Sequence, residues 1–434
     1  GDYIYEYGSH SYGNHPERWL VPEHEIVTLD DYRARYSHYH LDPDKRYIHQ
    51  QYPWYVIWDD HEIANNSWIN GAENHDPATQ GDFQERRAAA IQAYFEWLPI
   101  RPVNDPENPH NYIQKTINWG NLAYLILMDT RNEARMDPED LPNNSSEKEL
   151  LGEAQYQWLT ESLYNSYHTD QHRWRVLCNQ VMFAPLNILG WTANRDQWDG
   201  YQHDRQRLLN FFSGYDIRNS VILTGDIHTA WANEIHNPIL GNYGAEGQGC
   251  IHAVEFICTS ITSPSVDFGS GIGSAAITWQ NPHIKWVELV NRGYSILDIT
   301  NDRIQADYFF INTINDFDFD HWWGKSWYLN YDENFLRESP VESQTYGGFP
   351  DLVSPEPFED DEPTIIKNYS EFVLLSGFPN PSQGYLFIQF HLEKNTRLNF
   401  NVYSMSGEKV YSENKDFVKC DIQYHSFDFN SFSK

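Results

Sequence analysis

Cysteine and basic residues are scarce in this chain. The 434 residues include only four cysteines, Cys178, Cys250, Cys258 and Cys420, which are too few and too scattered for a disulfide framework. Lysine and arginine number 30 against 62 aspartates and glutamates, so the net charge is −32. This charge argues against nucleic acid or an anionic membrane as a partner, because both attract positive protein surfaces. No run of about 18 apolar residues is present, so we expect no membrane-spanning helix.

Several common catalytic motifs are also missing. A zinc protease of the His-Glu-x-x-His type needs a second histidine four residues after the first, but the residue four positions after His61 is Asn65. The sequence contains no serine nucleophile elbow and no glycine-rich phosphate-binding loop. A catalytic site must therefore be sought in other patterns.

The length of the chain exceeds the usual size of one domain, so we expect two domains. Residues 340–370 contain five prolines, the acidic run Glu359–Glu362 and few apolar residues, which is typical of a linker. Beyond them, short apolar runs separated by turn sequences predict a small β-sandwich-like module. We therefore divide the chain into a large domain at 1–339, a linker at 340–370 and a β-rich module at 371–434. The chain opens inside an apparent motif and stops without a closing element, so we expect both domains to be truncated.

The most informative stretch is Tyr52–Asn66. Five apolar or aromatic residues, Trp54–Trp58, are followed directly by Asp59-Asp60-His61-Glu62. A short continuous apolar run of this kind predicts a strand buried on both faces. Burying four ionisable groups at its end without partners would be costly. We therefore expect a compensating charge there, and a metal ion is the natural candidate.

The same pattern of an apolar run followed by polar residues recurs along the large domain. Four further runs predict buried strands, at Asn121–Met128, Arg173–Cys178, Ser220–Thr224 and Ala253–Ile257. The first three are followed by Asp129-Thr130-Arg131, by Asn179-Gln180 and by Gly225-Asp226-Ile227-His228. Gly1–Tyr5, with Asp2 and Tyr5, is typical of the tail of a strand.

Other patterns predict the elements that surround these strands. Helices are expected at Leu29–Tyr39, from Asp82 to Leu98, at Gly152–Tyr167 and at His203–Ser213. Alternating residues at Arg292–Asn301 and Arg303–Ile311 predict an antiparallel hairpin. An α/β core that also contains antiparallel strands suggests two packed sheets.

The polar residues at the strand ends are suited to binding metal ions. The candidates are Asp2, Tyr5, Asp60, His61, Asp226 and His228. Carboxylate, phenolate and imidazole groups suit iron, manganese, zinc or calcium, and a phenolate favours ferric iron. A pair of metals bridged by a carboxylate activates hydroxide for in-line displacement at phosphorus. A histidine that is not a ligand could protonate the leaving oxygen.

Two other interpretations of these residues stay open. A glycoside-active enzyme would use a carboxylate pair in an aromatic cleft, but it leaves the Gly-Asp-x-His and Gly-Asp-x-x-Tyr motifs unexplained. A calcium-stabilised extracellular binding protein fits the acidic composition, but it predicts aspartate-rich loops rather than histidines at strand ends.

Residues 1 to about 338 resemble the PhoD-type alkaline phosphatases of the calcineurin-like metallophosphoesterase superfamily. The motifs that carry the resemblance are Gly1–Tyr5, Trp58–Asn66, Met128–Arg131, Asn179–Met182 and Thr224–His228. The resemblance implies a four-layer α/β/β/α sandwich followed here by the small all-β module. It also implies hydrolysis of phosphate monoesters and diesters with Fe³⁺ and Ca²⁺, although other divalent metals are compatible.

The resemblance also implies a role for each candidate residue. Asp2 would bridge the metals and Tyr5 would bind iron, with Asp60, Asp226 and His228 as further ligands. His61 would contact phosphate and act as the acid, and Asp60 would share the catalytic role. Asn179 is a weaker ligand candidate, and Arg131 is a weaker candidate for binding the phosphate of the substrate.

The chain departs from the family pattern at three points. Asp60 stands where relatives carry asparagine, and Asp226 stands where many have histidine, which fits a harder, calcium-like second metal. The family's first motif, which supplies another metal ligand, would lie upstream of Gly1.

The C-terminal module resembles the sorting domains of proteins exported by type IX secretion. The matching segments are Phe378–Gly384 and Val402–Gly407. The resemblance implies recognition by the secretion machinery and a location outside the cell or on the outer-membrane surface. A carbohydrate- or surface-binding β-module is the alternative.

Overall fold

The computed structural model describes residues 1–9, 20–103, 108–239, 243, 251–265, 272–314, 320–344, 372–378, 385–392, 395–403, 409–417 and 420–428. The chain forms two compact units. The first comprises Gly1–Tyr5, Val56–Gln84 and Arg101–Thr345, and the second comprises Glu6–Tyr55, Glu85–Ile100 and Tyr346–Lys434. Only 340–344 of the predicted linker lie within the described residues, so the division at 340–370 stays a prediction.

The described residues contain both helices and strands. The helices are α1 Leu29–Tyr39, α2 Pro43–Gln51, α3 Pro77–Gln80, α4 Phe83–Trp97, α5 Gly152–Tyr164, α6 Gln202–Gly214 and α7 Ile272–Gln280, with a π-helical turn at Asn165–Thr169 and a 3₁₀ turn at Trp198–Gly200. The strands are β1 Lys115–Trp119, β2 Ala123–Leu127, β3 Trp174–Cys178, β4 Asn187–Ile188, β5 Trp191–Thr192, β6 Ser220–Thr224, β7 Ala230–His236, β8 Ile251–Ile257, β9 Ile284–Glu288, β10 Gly293–Ile299, β11 Arg303–Ile311, β12 His321–Asn330, β13 Arg337–Ser339, β14 Phe372–Phe378, β15 Tyr385–Leu392, β16 Thr396–Tyr403, β17 Lys409–Phe417 and β18 Cys420–Asp428.

A seven-stranded sheet in the order β1-β2-β3-β6-β8-β7-β9 dominates the first unit. Strands β2, β3, β6 and β8 run parallel to one another, and β1, β7 and β9 are antiparallel to their neighbours. These four parallel strands are the ones that the four apolar runs predict. Because they are parallel, their carboxyl ends lie along one edge of the sheet, where ligands bind in α/β proteins.

Both faces of this sheet are buried, which explains the continuous apolar runs. Val221 and Ile222 are neighbours on β6, and successive strand residues point to opposite faces. Ile222 shares a hydrophobic cluster with Phe212 of α6. Val221 belongs to a different cluster, together with Tyr308 of the four-stranded sheet β10-β11-β12-β13. The fold is thus mixed α/β with a large central sheet, and the predicted hairpin is present as β10 and β11.

The predicted helices are present with small differences in their bounds. Before α1, the side chains of Thr28 and Asp31 form a capping box. Before α4, Asp82 accepts a hydrogen bond from the Gln84 N–H at 2.7 Å. The helix expected at 152–167 is α-helical only as far as Tyr164 and then continues as the π-helical turn.

Two of the predicted strands are wrong. Among the described residues, the run Trp54–Trp58 pairs with no strand, and Tyr55 is 46% exposed rather than buried. The boundary between the two compact units falls inside this run, so its residues do not serve a single core. Gly1–Tyr5 is not a strand either. Two of its backbone N–H groups donate to the Glu62 carboxylate instead of to a neighbouring strand.

The described residues after 371 form antiparallel strand pairs. β15 pairs with β14 and β18, and β16 pairs with β17. Of the two segments that carry the resemblance to a sorting domain, residues 379–384 and 404–407 lie outside the described residues.

Candidate metal centre

Three parallel strands place polar residues at one edge of the seven-stranded sheet. Arg131 follows β2, Asn179 follows β3, and both Asp226 and His228 follow β6. The turn Asp59–Glu62 contributes the remaining acidic groups, together with the N-terminal residues Asp2 and Tyr5. The candidate site is therefore assembled from five separate segments of the chain.

The turn Gly225–His228 has an unusual backbone. Asp226 and His228 have φ angles of 66° and 59°, a region that costs non-glycine residues about 1–3 kcal/mol each. The surrounding structure holds the turn in place. The Gly225 N–H donates to the Gln180 carbonyl at 3.2 Å, and the Thr259 hydroxyl donates to the His228 carbonyl at 3.1 Å. Backbone strain of this kind is concentrated at functional sites.

Tyr5 connects an aspartate and two histidines. Its hydroxyl donates to Asp2 Oδ2 at 2.6 Å and lies 2.9 Å from His228 Nε2, and the ring centroids of Tyr5 and His61 are 4.3 Å apart. His228 Nδ1 lies 3.0 Å from the Pro264 carbonyl oxygen. Because a carbonyl only accepts, Nδ1 is placed to donate to Pro264. Nε2 is the nitrogen that faces Tyr5 and Asp2, and it is the one placed to bind a metal.

Among the residues that the structure describes, two groups of side chains are close enough to hold a cation. In Asp2, Asp60 and His61, one ligand atom from each residue lies within 4.8 Å of the others, and the same holds for Asp59, Asp60 and Asp226. Asp60 belongs to both groups, so its carboxylate is the one placed to serve two cations. The bridging role that the family resemblance gives to Asp2 stays a prediction.

Several carboxylate oxygens in these groups have no hydrogen-bond donor. Asp2 Oδ1, Asp59 Oδ2 and Asp60 Oδ1 are buried and accept no hydrogen bond from the described residues. Leaving a buried acceptor unsatisfied costs about 1–3 kcal/mol, and more for a charged group. Ca²⁺ and ferric iron bind preferentially to oxygen ligands, and carboxylate oxygens that accept no hydrogen bond from the described residues can take that role. The residues of this site therefore fit a metal ion.

Burial and mutual repulsion perturb these carboxyl groups strongly. Burial raises the pKa of Asp60 to about 6, although Arg131 and His61 oppose the shift. Burial and the charge of Arg131 act in opposite directions on Asp226, and burial prevails, so its pKa lies well above the usual value. Burial also opposes charge on Asp2, but His61, His228 and Tyr5 outweigh it and lower the pKa. A bound cation would offset the cost of keeping all three ionised.

Glu62 ties two segments of the site together, a role that the sequence did not assign to it. Its Oε1 accepts from the N–H groups of Tyr3 and Ile4, and its Oε2 accepts from the Asp59 N–H at 2.6 Å. Burial, followed by the charge of Asp2, raises the pKa of Glu62 to about 8. Its carboxylate holds the N-terminal residues beside the turn that carries Asp60.

Arg131 is buried among carboxylates. Its Nε donates to Asp59 Oδ1 at 2.7 Å, its Nη1 to Asp196 Oδ2 at 2.7 Å, and its Nη2 to Asp226 Oδ1 at 2.6 Å. Asp60 Oδ1 lies 3.7 Å from the same Nη2. Each guanidinium nitrogen therefore already has a carboxylate partner, and phosphate binding by Arg131 stays a prediction.

Asp196 and Arg135 are the two residues of this network that sequence reasoning missed. Arg135 Nη2 donates to the Asp196 carboxylate and, at 2.7 Å, to the Asp196 carbonyl. Both residues are buried. Asp196 lies in an irregular loop that has no periodic pattern, and no local signal distinguishes it from the other 61 acidic residues.

Asn179 is also buried, but its recorded hydrogen bonds lead away from the carboxylates. Its Oδ1 accepts from Trp198 Nε1 at 3.1 Å, and its Nδ2 donates to Thr224 Oγ1 at 3.2 Å and to the Val181 carbonyl. To bind a metal, Asn179 Oδ1 would have to give up the hydrogen bond that it accepts from the Trp198 indole. That role stays a prediction.

Two known proteins are similar to this chain over most of its length. Alkaline phosphatase D of Bacillus subtilis (strain 168) is 35% identical over 323 residues, which cover 71% of this chain and 53% of the relative. A solved structure described as "Structure of PhoD" matches with a TM-score of 0.68 and 32% identity, over 80% of this chain and 66% of that chain. The chain thus spans about half the length of the curated relative that it matches.

Family models match both parts of the chain. Residues 376–434 match the secretion system C-terminal sorting domain, which points to export to the extracellular or outer-membrane surface. No helix in the described ranges is long and apolar enough to cross a membrane. Residues 1–308 match the model of the PhoD-like phosphatases. The chain therefore belongs to the PhoD-like phosphatase family.

Proposed function

We propose that this protein is an exported, metal-dependent phosphatase and phosphodiesterase that hydrolyses phosphate esters with metal-activated water. One observation carries the proposal. In the described part of the chain, buried carboxylate oxygens of Asp2, Asp59 and Asp60 accept no hydrogen bond, and these residues lie in two cation-sized groups that share Asp60. Family membership supports the same reaction class.

Fe³⁺ and Ca²⁺ are the metals that these ligands favour. The phenol of Tyr5, with Asp2 and His228 in contact with it, suits ferric iron, and the all-carboxylate group that includes Asp60 and Asp226 suits calcium. Bound there, such a pair supplies Lewis acidity and lowers the pKa of water toward about 7. Asn179 is kept as a weaker ligand of the proposed site.

The chain's own residues position the ester and move the proton. His61 donates a proton to the leaving oxygen and contacts the phosphate, so it is not itself a metal ligand. In its group with Asp2 and Asp60, the ligand position is taken instead by Tyr5 and His228, which lie beside Asp2. Its contact with the Tyr5 ring supports a fixed imidazole orientation. Arg131 contacts the phosphate by exchanging one of its carboxylate partners. Asp60 is the ligand on which catalysis depends most, because it belongs to both groups.

We also propose the finer architecture. The sheets formed by β1–β3 with β6–β9 and by β10–β13 are the inner layers of a four-layer α/β/β/α sandwich, since residues of both sheets share one hydrophobic cluster. The catalytic domain extends over 1–339, and 340–370 links it to a β-sandwich-like module at 371–434. That module is the part that the secretion machinery recognises.

Hydrolysis of an aryl phosphate monoester and of the corresponding diester tests the proposal directly. The full-length gene product is supplied with ferric iron and calcium and is compared with Asp60→Ala. We expect the variant to lose more than about 100-fold in activity, beyond the range typical for residues that only orient ligands. Asp30→Ala, an exposed carboxylate on α1, is the matched control and should be fully active. Bound metals without hydrolysis of either ester would favour a calcium-stabilised binding protein instead.

A further inference from the structure

Asp196 accepts from a different nitrogen of Arg131 than the candidate metal ligands do. It accepts from Arg131 Nη1, while the other two nitrogens of that guanidinium donate to Asp59 and Asp226. Asp59 and Asp226 both belong to the all-carboxylate group, and Asp196 does not. A guanidinium is planar with its donors in a fixed fork. Three partners on three nitrogens therefore fix both its position and its tilt.

Both oxygens of Asp196 are used, each by a different arginine. Oδ2 accepts from Arg131 and Oδ1 accepts from Arg135, whose side chain is also buried. Arg135 is itself held by the Thr130 carbonyl at 3.2 Å and by the ring of Tyr201, 5.2 Å from its guanidinium carbon. Asp196 thus separates two buried positive charges that would otherwise repel each other.

The loop that carries Asp196 is anchored along its length. Residues 196–201 are all buried. Trp198 donates to Asn179, and the Tyr201 hydroxyl donates to the Met136 carbonyl at 2.5 Å. These contacts hold the backbone of the loop in one conformation. The Asp196 side chain therefore contacts Arg131 from a fixed backbone position.

We propose that Asp196 is a positioning residue of the metal centre, which holds Arg131 between Asp59 and Asp226 and so sets the arrangement of the all-carboxylate cation group. The inference rests on the metal centre of the proposed function. It assigns Asp196 no contact with metal or substrate.

Asparagine at this position would keep the shape of the side chain but not its bonding. An amide offers one acceptor oxygen and one donor NH₂, whereas Asp196 accepts with both oxygens. In Asp196→Asn, the NH₂ must face Arg131 or Arg135, donor against donor. If the NH₂ faces Arg131, that guanidinium loses its third anchor; if it faces Arg135, the side chain at 196 loses the contact that steadies it against Arg131. In both cases Arg131 is held less firmly between Asp59 and Asp226. Residues that orient metal ligands typically change metal affinity by about 10–100-fold.

Calcium titration of the iron-loaded full chain by calorimetry tests this role. We expect Asp196→Asn to raise the dissociation constant for Ca²⁺ about 10–100-fold, with the iron content unchanged. Asp199→Asn is the matched control, because Asp199 is buried in the same loop and also pairs with an arginine, Arg205, at 2.5 Å. Its other partner is the Leu186 N–H rather than a residue of the site. Both variants remove one negative charge, so the difference between them reports the loss of the Asp196 contacts with Arg131 and Arg135.

A second variant keeps the inference testable if Asp196→Asn does not fold. Arg135→Gln leaves Asp196 in place but removes its second anchor, so the calcium dissociation constant should rise by a smaller factor. In the double variant, the two effects should fall short of additive, because they act on one network. Equal calcium affinities in Asp196→Asn, Arg135→Gln and Asp199→Asn would overturn the inference alone. A wild-type chain that binds neither metal would overturn the proposed function, and this inference with it.

Discussion

Arg131 donates its Nη2 hydrogen bond to Asp226 at 2.6 Å, although the two residues are separated by 95 positions in the chain. Their proximity follows from the parallel pairing of the sheet, because Arg131 follows β2 and Asp226 follows β6, and both strands end at the same edge. A positive side chain thus lies inside a group of carboxylates that is also suited to a cation. The site combines the positive charge of Arg131 with carboxylate oxygens that accept no hydrogen bond within the described part of the chain.

Glu62→Gln should destabilise the protein by about 1–3 kcal/mol. Glu62 accepts backbone N–H groups with both oxygens, so the glutamine NH₂ would face an N–H donor without an acceptor. Urea unfolding of the metal-free protein at about pH 9, where a carboxyl group with a pKa of about 8 is ionised, measures the change in free energy. The control is Glu73→Gln, because Glu73 accepts from the side chains of Asn65 and Asn66 through one oxygen, which glutamine can replace. Equal losses in the two variants would contradict the anchoring role of Glu62.

Tyr5→Phe should abolish the visible absorption band expected of a tyrosinate bound to ferric iron. The phenol is the group that contacts Asp2 and His228, and phenylalanine keeps the ring against His61 while removing the oxygen. Absorption spectra and iron content of the reconstituted protein give the readout. Tyr47→Phe, at a side chain that is 63% exposed, should keep the band. Retention of the band in Tyr5→Phe would assign the iron to other ligands.

We expect protonation of His283 to lower the stability of the folded protein in mild acid. Burial, with smaller contributions from His236, Arg205 and Lys285, lowers the pKa of His283 to about 4 from 6.5, while the Pro185 carbonyl favours the charged form. Because the folded-state pKa is depressed, the stabilising contribution is complete above pH 6.5 and is lost as the pH falls toward 4. The shift corresponds to about 3 kcal/mol at most.

The measurement is urea unfolding at several pH values between 4 and 7, for the wild type and for His283→Gln. The difference in unfolding free energy between the two proteins should shrink as the pH falls. Carboxylates elsewhere titrate in both proteins and cancel in this comparison. A difference that does not change with pH would show that His283 is protonated equally in the folded and unfolded states.

The sequence predicted those parts of the fold in which the local pattern of apolar residues depends directly on how a strand is buried. Runs such as Ser220–Thr224 are apolar throughout because β6 is buried on both faces, and the polar residues after them lie at one sheet edge because the strands are parallel. Trp54–Trp58 has a similar composition but forms no strand, and the boundary between the two compact units falls inside it. Composition alone does not distinguish these two cases.

The site residues that the sequence did not identify share one property: their roles arise only from contacts with residues that are distant in the chain. Asp196 and Arg135 lie in irregular segments, and their importance comes from Arg131, which is 65 positions away from Asp196. Glu62 was visible as part of a charged run, but its hydrogen bonds go to Tyr3 and Ile4, across 59 and 58 positions. Hydrophobic periodicity carries no information about such pairings.

Calcium should stabilise the folded protein, and removing it should reverse the effect. One buried oxygen each of Asp59 and Asp60 accepts no hydrogen bond from the residues that the structure describes, which costs free energy in the metal-free protein, and a bound cation would satisfy both. At a free calcium concentration 100 times the dissociation constant, linkage gives about 2.7 kcal/mol of added stability. Thermal unfolding with calcium and then with a chelator measures this gain.

Salt alone must be separated from specific binding in that experiment. The net charge of −32 means that any salt screens repulsion between acidic groups and raises stability somewhat. Sodium chloride at matched ionic strength is therefore one control. Asp60→Ala is the other, since it removes the residue common to both cation groups. A rise in unfolding temperature that is equal in calcium and in sodium chloride, or equal in the wild type and in Asp60→Ala, would place the effect of calcium on the acidic surface rather than at this site.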